Sequence, residues 1–242
     1  MENKKQRVQK ILSKTCHDSL AWNLDQLTLE SESSINLAFL NAHAVTFCYE
    51  KPEFFTSLFQ TNYLLRDGIG VKLALKFFGY PETENLNGTD LIPNILKKFK
   101  NRKIAIFGAS DAALEACKLK LEKNGISTIV CMAHGFHTPE HYLELIKSRQ
   151  PEIVVLCMGM PKQELLAQTI SEQKLCPLVI CGGGWADFYS ETKKRAPLWV
   201  QKLSLEWLHR LAKEPKRLGK RYTLGILHFF YIISISRIGH NK

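Results

Sequence analysis

Six short and nearly unbroken apolar runs constrain this chain more than any other feature: INLAF (35–39), NYLL (62–65), KIAIFG (103–108), STIVCM (127–132), EIVVLCMG (152–159) and PLVICGGG (177–184). None alternates polar with apolar residues as a half-solvated strand does, so each reads as a strand covered on both faces. Between them lie amphipathic stretches: VKLALKFFG, DAALEACKLKLEKNG closed by Gly125, PEHYLELIKS and PKQELLAQTISEQ. Apolar strands joined by helical crossovers predict an α/β fold, a Rossmann-like, mostly parallel sheet with helices on both faces. With 242 residues, 45% of them hydrophobic, the chain can bury the core of one large domain or two small ones. A disordered tail, a collagen repeat and a disulfide-stapled miniprotein are excluded.

The net charge of +10 is local. Twelve of the 33 Lys and Arg, but only two of the 23 Asp and Glu, lie from Lys193 onward, which leaves residues 1–192 with 21 of each. The chain therefore divides into a neutral α/β body (1–192) and a basic helical appendage (193–242) suited to an anionic partner. The appendage opens with the tryptophan-containing stretch KKRAPLWVQKLSLEWLHRLAKEPKRLGKRY and ends in LGILHFFYIISISRI. The apolar end spans 15 residues, Leu224 to Ile238, short of the ~17–25 a membrane-crossing helix needs. A helix lying in a membrane interface, or docked on the body's own apolar surface, fits it better. The seven cysteines contain no C-x-x-C pair, and three sit in or beside apolar runs, so neither a disulfide nor a zinc framework is read. The polar N-terminus MENKKQRVQK has no secretory apolar stretch. The expectation is cytoplasmic exposure.

Parallel sheets bind ligands where the strands end. Those ends are Asp67-Gly68, Gly108-Ala109-Ser110, His134-Gly135, Gly159-Met160-Pro161 and Gly182-Gly183-Gly184. G-x-x-x-x-G-K-[ST] is absent, which excludes a P-loop, and so is G-x-G-x-x-G, which argues against a dinucleotide site. There is no D-x-D to bridge a metal to a nucleotide-sugar. His134, His137 and His141 could share a helix face as ligands, but the segment is interrupted by Pro139, so no metal site is assigned. Asp67 is the carboxylate placed to act as a general base, although Asp-Gly is also ordinary turn and cap chemistry. The residues alone leave both roles open, and Asp90 and Asp187 are equally compatible with capping.

Several blocks together resemble the bacterial WecG/TagA/CpsF glycosyltransferases: Asn41-Ala-His, LLRDGIGVKLALKFFGYP (64–81), the segment from Glu84 to Leu91, IAIFGAS, HGF (134–136), MGMPKQE (158–164), GGGWADFYS (182–190) and RAPLWVQKLSLEWLHRLAKEPKRLGKRY (195–222). They follow the family's order across roughly residues 35–240. The resemblance implies transfer of an N-acetylmannosamine-type sugar from a UDP donor, with inversion, to a polyprenyl-diphosphate-linked GlcNAc. Such transfer takes place at the inner face of the cell membrane, in cell-surface polysaccharide or teichoic acid synthesis. It implies no metal or other cofactor beyond the UDP-sugar co-substrate. Asp67 matches the family's base, Asn41 its motif asparagine, and Gln163 a donor-binding glutamine. Gly182, Gly183 and Asp187 are implied near the nucleotide, with backbone N–H groups offered to phosphate. Arg210, Arg217 and Arg221 are implied as counterions for the leaving diphosphate, with lipid headgroups as the competing role. Two positions depart from the pattern. Phe39 stands where a threonine is usual, and Asn85, expected among the substrate-binding residues, stands where an arginine would supply a bidentate anion contact.

Membrane-associated transfer is thus the expected function, with an anionic membrane surface as partner and self-association implied. The alternatives are transfer of a different UDP-sugar or a nucleotide-binding homologue without activity. A nucleic-acid partner is not expected, because Trp, Phe and Ile stand in the basic tail where a nucleic-acid binder would expose more polar residues.

Overall fold

In the computed structural model, residues 3–29 and 34–237 are described, apart from the side chains of Arg217, Lys220 and Arg221. All six apolar runs are strands: β1 (Ile35–Leu40), β2 (Tyr63–Arg66), β3 (Ile104–Gly108), β4 (Ile129–Ala133), β5 (Ile153–Cys157) and β6 (Leu178–Cys181). They form one sheet in the order β2-β1-β6-β5-β3-β4. Every pairing is parallel. The helices are α1 (Lys4–Ala21), α2 (Ala42–Glu50), α3 (Pro52–Phe59), α4 (Ile69–Phe78), α5 (Gly88–Lys98), α6 (Asp111–Lys123) and α7 (Pro139–Arg149). They continue with α8 (Lys162–Glu172), α9 (Trp185–Tyr189), α10 (Leu198–Lys202), α11 (Glu206–Lys213), α12 (Pro215–Tyr222) and α13 (Leu224–Arg237).

Successive strand side chains point to opposite faces, and the core divides accordingly. Val154 and Leu156 of β5 join one cluster with residues of α1–α4, α7, α8 and α13. Ile153 and Val155 join the other, beneath α5, α6 and α9. Helices on two faces explain why the strands read as unbroken apolar runs. At the end of β3 the chain turns tightly against β5. Gly108 has φ +119°, and a Cβ there would lie 2.3 Å from the Cys157 carbonyl, so only glycine fits.

The N-terminal helix was not foreseen. Its face of Val8, Ile11, Leu12 and Cys16 is fully buried, and it shields the sheet's edge strand. The Leu64 N–H donates to Asp18 Oδ2 at 2.8 Å and the Arg66 N–H to Ser19 Oγ at 3.0 Å. Donors that would otherwise template pairing with another chain are thereby satisfied.

The basic C-terminal stretch forms α10–α13. Phe229, Ile232 and Ile233 of α13 are buried in the first core cluster, so this helix docks on the body through one face. Leu224, Leu227, Phe230 and Tyr231 are exposed on it. Ile238, the expected last residue of the apolar run, lies outside the described residues. No helix among the described residues is long and apolar enough to cross a membrane.

Candidate active site

A cavity of about 680 Å³ opens at the carboxyl ends of β1, β2, β5 and β6, with α11 and α12 over it. Among the strand-end turns, those at Asp67, at Gly159-Met160 and at Gly182-Gly183-Gly184 line it, whereas Ala109-Ser110 and His134-Gly135 do not. The three histidines are not among its lining residues and stack on one another, with ring centroids 4.0 Å apart for His134–His137 and 4.1 Å for His137–His141.

Asp67 sits where β2 leaves the sheet, its N–H donating to Leu40 O at 2.9 Å. Gly68, at φ +85°, turns the chain into α4, a conformation that favours glycine. Two neighbours brace this turn. Asn85 Oδ1 accepts from the Gly68 N–H at 2.8 Å. Arg66, only 4% exposed, donates to the carbonyls of Glu84, Gly68 and Thr83 at 2.9, 3.2 and 2.8 Å. Burial pulls the Arg66 pKa down while Asp67 and Glu82 oppose the shift, and a guanidinium stays charged throughout. Asn85 was expected to meet substrate. It is instead a brace behind Asp67 and is not among the cavity-lining residues, because its oxygen is engaged by the turn. Arg66 was missed in the sequence, where a single charged residue ending an apolar strand is its only signal.

Asn41 lines the cavity as the cap of α2, its Oδ1 accepting from the His43 and Ala44 N–H groups, both at 3.1 Å. The amide nitrogen is the part of that side chain left to meet a ligand. Gln163 also lines the cavity, but its Oε1 accepts from the Gly159 N–H at 3.2 Å and the Gly183 N–H at 3.0 Å. Its Nε2 donates to Glu164 Oε1 at 2.8 Å. Gln163 therefore brackets two turns at the cavity that it lines. The Gly182 and Gly183 N–H groups were expected to face phosphate. They donate to Leu156 O at 2.7 and 3.2 Å instead, because the β6 turn folds back on β5.

Positive charge reaches the cavity from the C-terminal side. Lys193, Lys194, Arg210 and Lys213 line it together with His209. Asp187, at the start of α9, accepts from Lys193 Nζ at 2.6 Å, so its carboxylate is paired with a cation. The Arg210 guanidinium lies 4.5 Å from the Phe188 ring centroid. Arg217 and Arg221 belong to α12, but their side chains lie outside the described residues. Phe39 also lines the cavity. A Cβ at Gly88 would come within 2.9 Å of its ring, so ring and glycine fit together.

The cover is fastened by Arg195. Its two terminal nitrogens engage both carboxylate oxygens of Asp90 on α5, and its Nε donates to Glu206 Oε1 on α11 at 3.0 Å. This fork holds Asp90 below the usual carboxylate range, aided by Asn87 and opposed by desolvation. Asp90 is accordingly both a first-turn helix residue and one jaw of a clasp. Sequence could not pair residues 105 positions apart.

The family described as "Glycosyl transferase WecG/TagA/CpsF family" matches residues 10–242. Curated relatives from Staphylococcus aureus strains MW2 and NCTC 8325 are each 26% identical over 209 residues, spanning 85% of this chain and 82% of the relative. A third, from strain MRSA252, is 25% identical over the same span. All three are named N-acetylglucosaminyldiphosphoundecaprenol N-acetyl-beta-D-mannosaminyltransferase. With nearly its whole length matched and an α/β body open at its strand ends, the chain belongs to the WecG/TagA/CpsF family of glycosyltransferases.

Proposed function

We propose that the protein transfers an N-acetylmannosamine-type sugar from a UDP donor to a polyprenyl-diphosphate-linked N-acetylglucosamine, inverting the anomeric centre. The observation that carries this is the shared cavity, lined by Asp67 together with Lys194, Arg210 and Lys213. Asp67 accepts the proton of the acceptor hydroxyl as its oxygen bonds to the anomeric carbon. The bond from that carbon to the diphosphate breaks, and UDP departs with the electron pair. One displacement inverts the centre. Charge building on the diphosphate is met by the cations of the C-terminal cover, which are held in place before reaction and so cost little reorganisation. Asn41 orients the sugar through its amide nitrogen. No metal is invoked in this scheme.

The protein acts at the inner membrane surface. Leu224, Leu227, Phe230 and Tyr231 present apolar side chains on α13, and a basic stretch beside an anionic surface contributes roughly 1 kcal/mol per Lys or Arg. Anionic liposomes, not oligonucleotides, are the expected partner at equal salt. The decisive experiment is a UDP-release screen over UDP-ManNAc, UDP-ManNAcA, UDP-GlcNAc and UDP-Glc, with a prenyl-diphosphate-GlcNAc acceptor. Acceptor-dependent release from a mannosamine donor is expected. UDP binding without release from any donor would leave a nucleotide-binding homologue.

A further inference from the structure

We infer that Glu164 is a positioning residue: its buried carboxyl fixes the orientation of the Gln163 amide, and through it the two glycine turns that form the cavity floor. An amide side chain is nearly symmetric in shape, with an acceptor at one end and donors at the other. The Gln163 oxygen faces two donors, the N–H groups of Gly159 and Gly183. Reversing the amide would set NH2 against both and lose both bonds. Glu164 enforces the productive orientation by offering an acceptor to Nε2 at 2.8 Å. Gly159 and Gly183 belong to different strand ends and both have positive φ, +78° and +57°. The bracket therefore adds a side-chain link between the two turns, beyond the backbone bonds from Gly182 and Gly183 to Leu156 O on β5.

Stability does not explain this carboxyl. Glu164 is 3% exposed, and its Oε2 is buried without a hydrogen-bond partner among the described residues. Desolvation raises its pKa to about 7, against the hydrogen bond from Gln163. A buried, half-satisfied acid is a liability that an apolar residue of similar volume would remove. Its place beside a cavity-lining glutamine points to a role in shaping the cavity.

The effect on donor affinity rests on the proposed use of a UDP-sugar; the effect on the two turns does not. The test compares Glu164→Leu, which has no acceptor, with Glu164→Gln, which keeps one. Amide hydrogen exchange at Gly159 and Gly183, UDP affinity by calorimetry, KM, kcat and Tm are read in the full-length protein. Glu164→Leu is expected to speed exchange at both glycines and to raise the UDP Kd and the donor KM about tenfold, the scale of one lost hydrogen bond of ordinary net strength. Its kcat should change far less and its Tm should not fall. Glu164→Gln should match the wild type in exchange and KM. Unchanged exchange at both glycines in Glu164→Leu overturns the inference, as does a Glu164→Gln variant as impaired as Glu164→Leu. If Glu164→Leu does not fold, Glu164→Met carries the same test. A wild type that binds no UDP overturns the functional proposal instead, and leaves the bracket to be judged on the two amides.

Discussion

Arg195→Gln should loosen the cover of the cavity without loosening the sheet. Arg195 and Glu206 have side chains 23% and 24% exposed, so their bond is partly shielded; the Asp90 side chain is 58% exposed and more screened. A charge-assisted hydrogen bond of the first kind contributes at most ~1.5 kcal/mol here, and an exposed ion pair ~0.5 kcal/mol. Together they give about 2 kcal/mol, or roughly a 30-fold shift in the equilibrium between closed and opened cover. Hydrogen exchange across α10 and α11 should accelerate by that factor, while amides of β3 and β5 keep wild-type protection. High salt should narrow the difference, because the Asp90 arm is screened. Asp90 is held below its ordinary pKa, so its contribution is complete above the usual carboxylate range, near 3.9. It disappears as pH falls through the lowered value, and the effect of the substitution should be flat from about pH 5 to 8. Unchanged exchange in α10 and α11, or equal acceleration in the sheet, would refute the clasp.

Three further outcomes follow from the packing. Gly108→Ala places a methyl group 2.3 Å from the Cys157 carbonyl at φ +119°, which should cost about 4 kcal/mol in denaturant unfolding; wild-type stability would contradict the described turn. Asp18→Ala strips the acceptor from the buried Leu64 N–H and the partner from Lys14, so thermal unfolding should register a loss of about 2 kcal/mol. Leu227→Glu with Tyr231→Glu, both on the exposed face of α13, should reduce flotation with anionic liposomes at unchanged Tm. Removing the whole helix is a poorer test, since it would also strip Phe229, Ile232 and Ile233 from the core.

The sheet was legible because strands covered on both faces must be apolar throughout, and KIAIFG or EIVVLCMG admits few other placements. The helix α1 was overlooked although Val8, Ile11, Leu12, Thr15 and Cys16 recur at helical spacing. Six basic residues (Lys4, Lys5, Arg7, Lys10, Lys14 and His17) dilute that stripe and give it the look of a solvated leader. At the site, Asp67 and the glycine turns could be found because strand ends can be read from local pattern. The function of their neighbours could not. Whether Gln163 meets a ligand or holds two turns depends on Gly159, Gly183 and Glu164 closing around it. Arg66 and Arg195 act on carbonyls and carboxylates distant in sequence. Asn85 appeared to be a lost anion contact, whereas its short amide is the length that reaches the Gly68 N–H.

In the proposed reaction Asp67 removes the acceptor's proton in a direct displacement. Asp67→Asn tests it with two numbers from one preparation: sugar transfer to prenyl-diphosphate-GlcNAc and the Kd for UDP. Transfer is expected to fall by about a thousandfold, within the range a general base contributes, while the Kd stays within about twofold of wild type because the diphosphate is held by the cations of the cover. An Asp67→Asn protein that still transfers sugar at a comparable rate would contradict it.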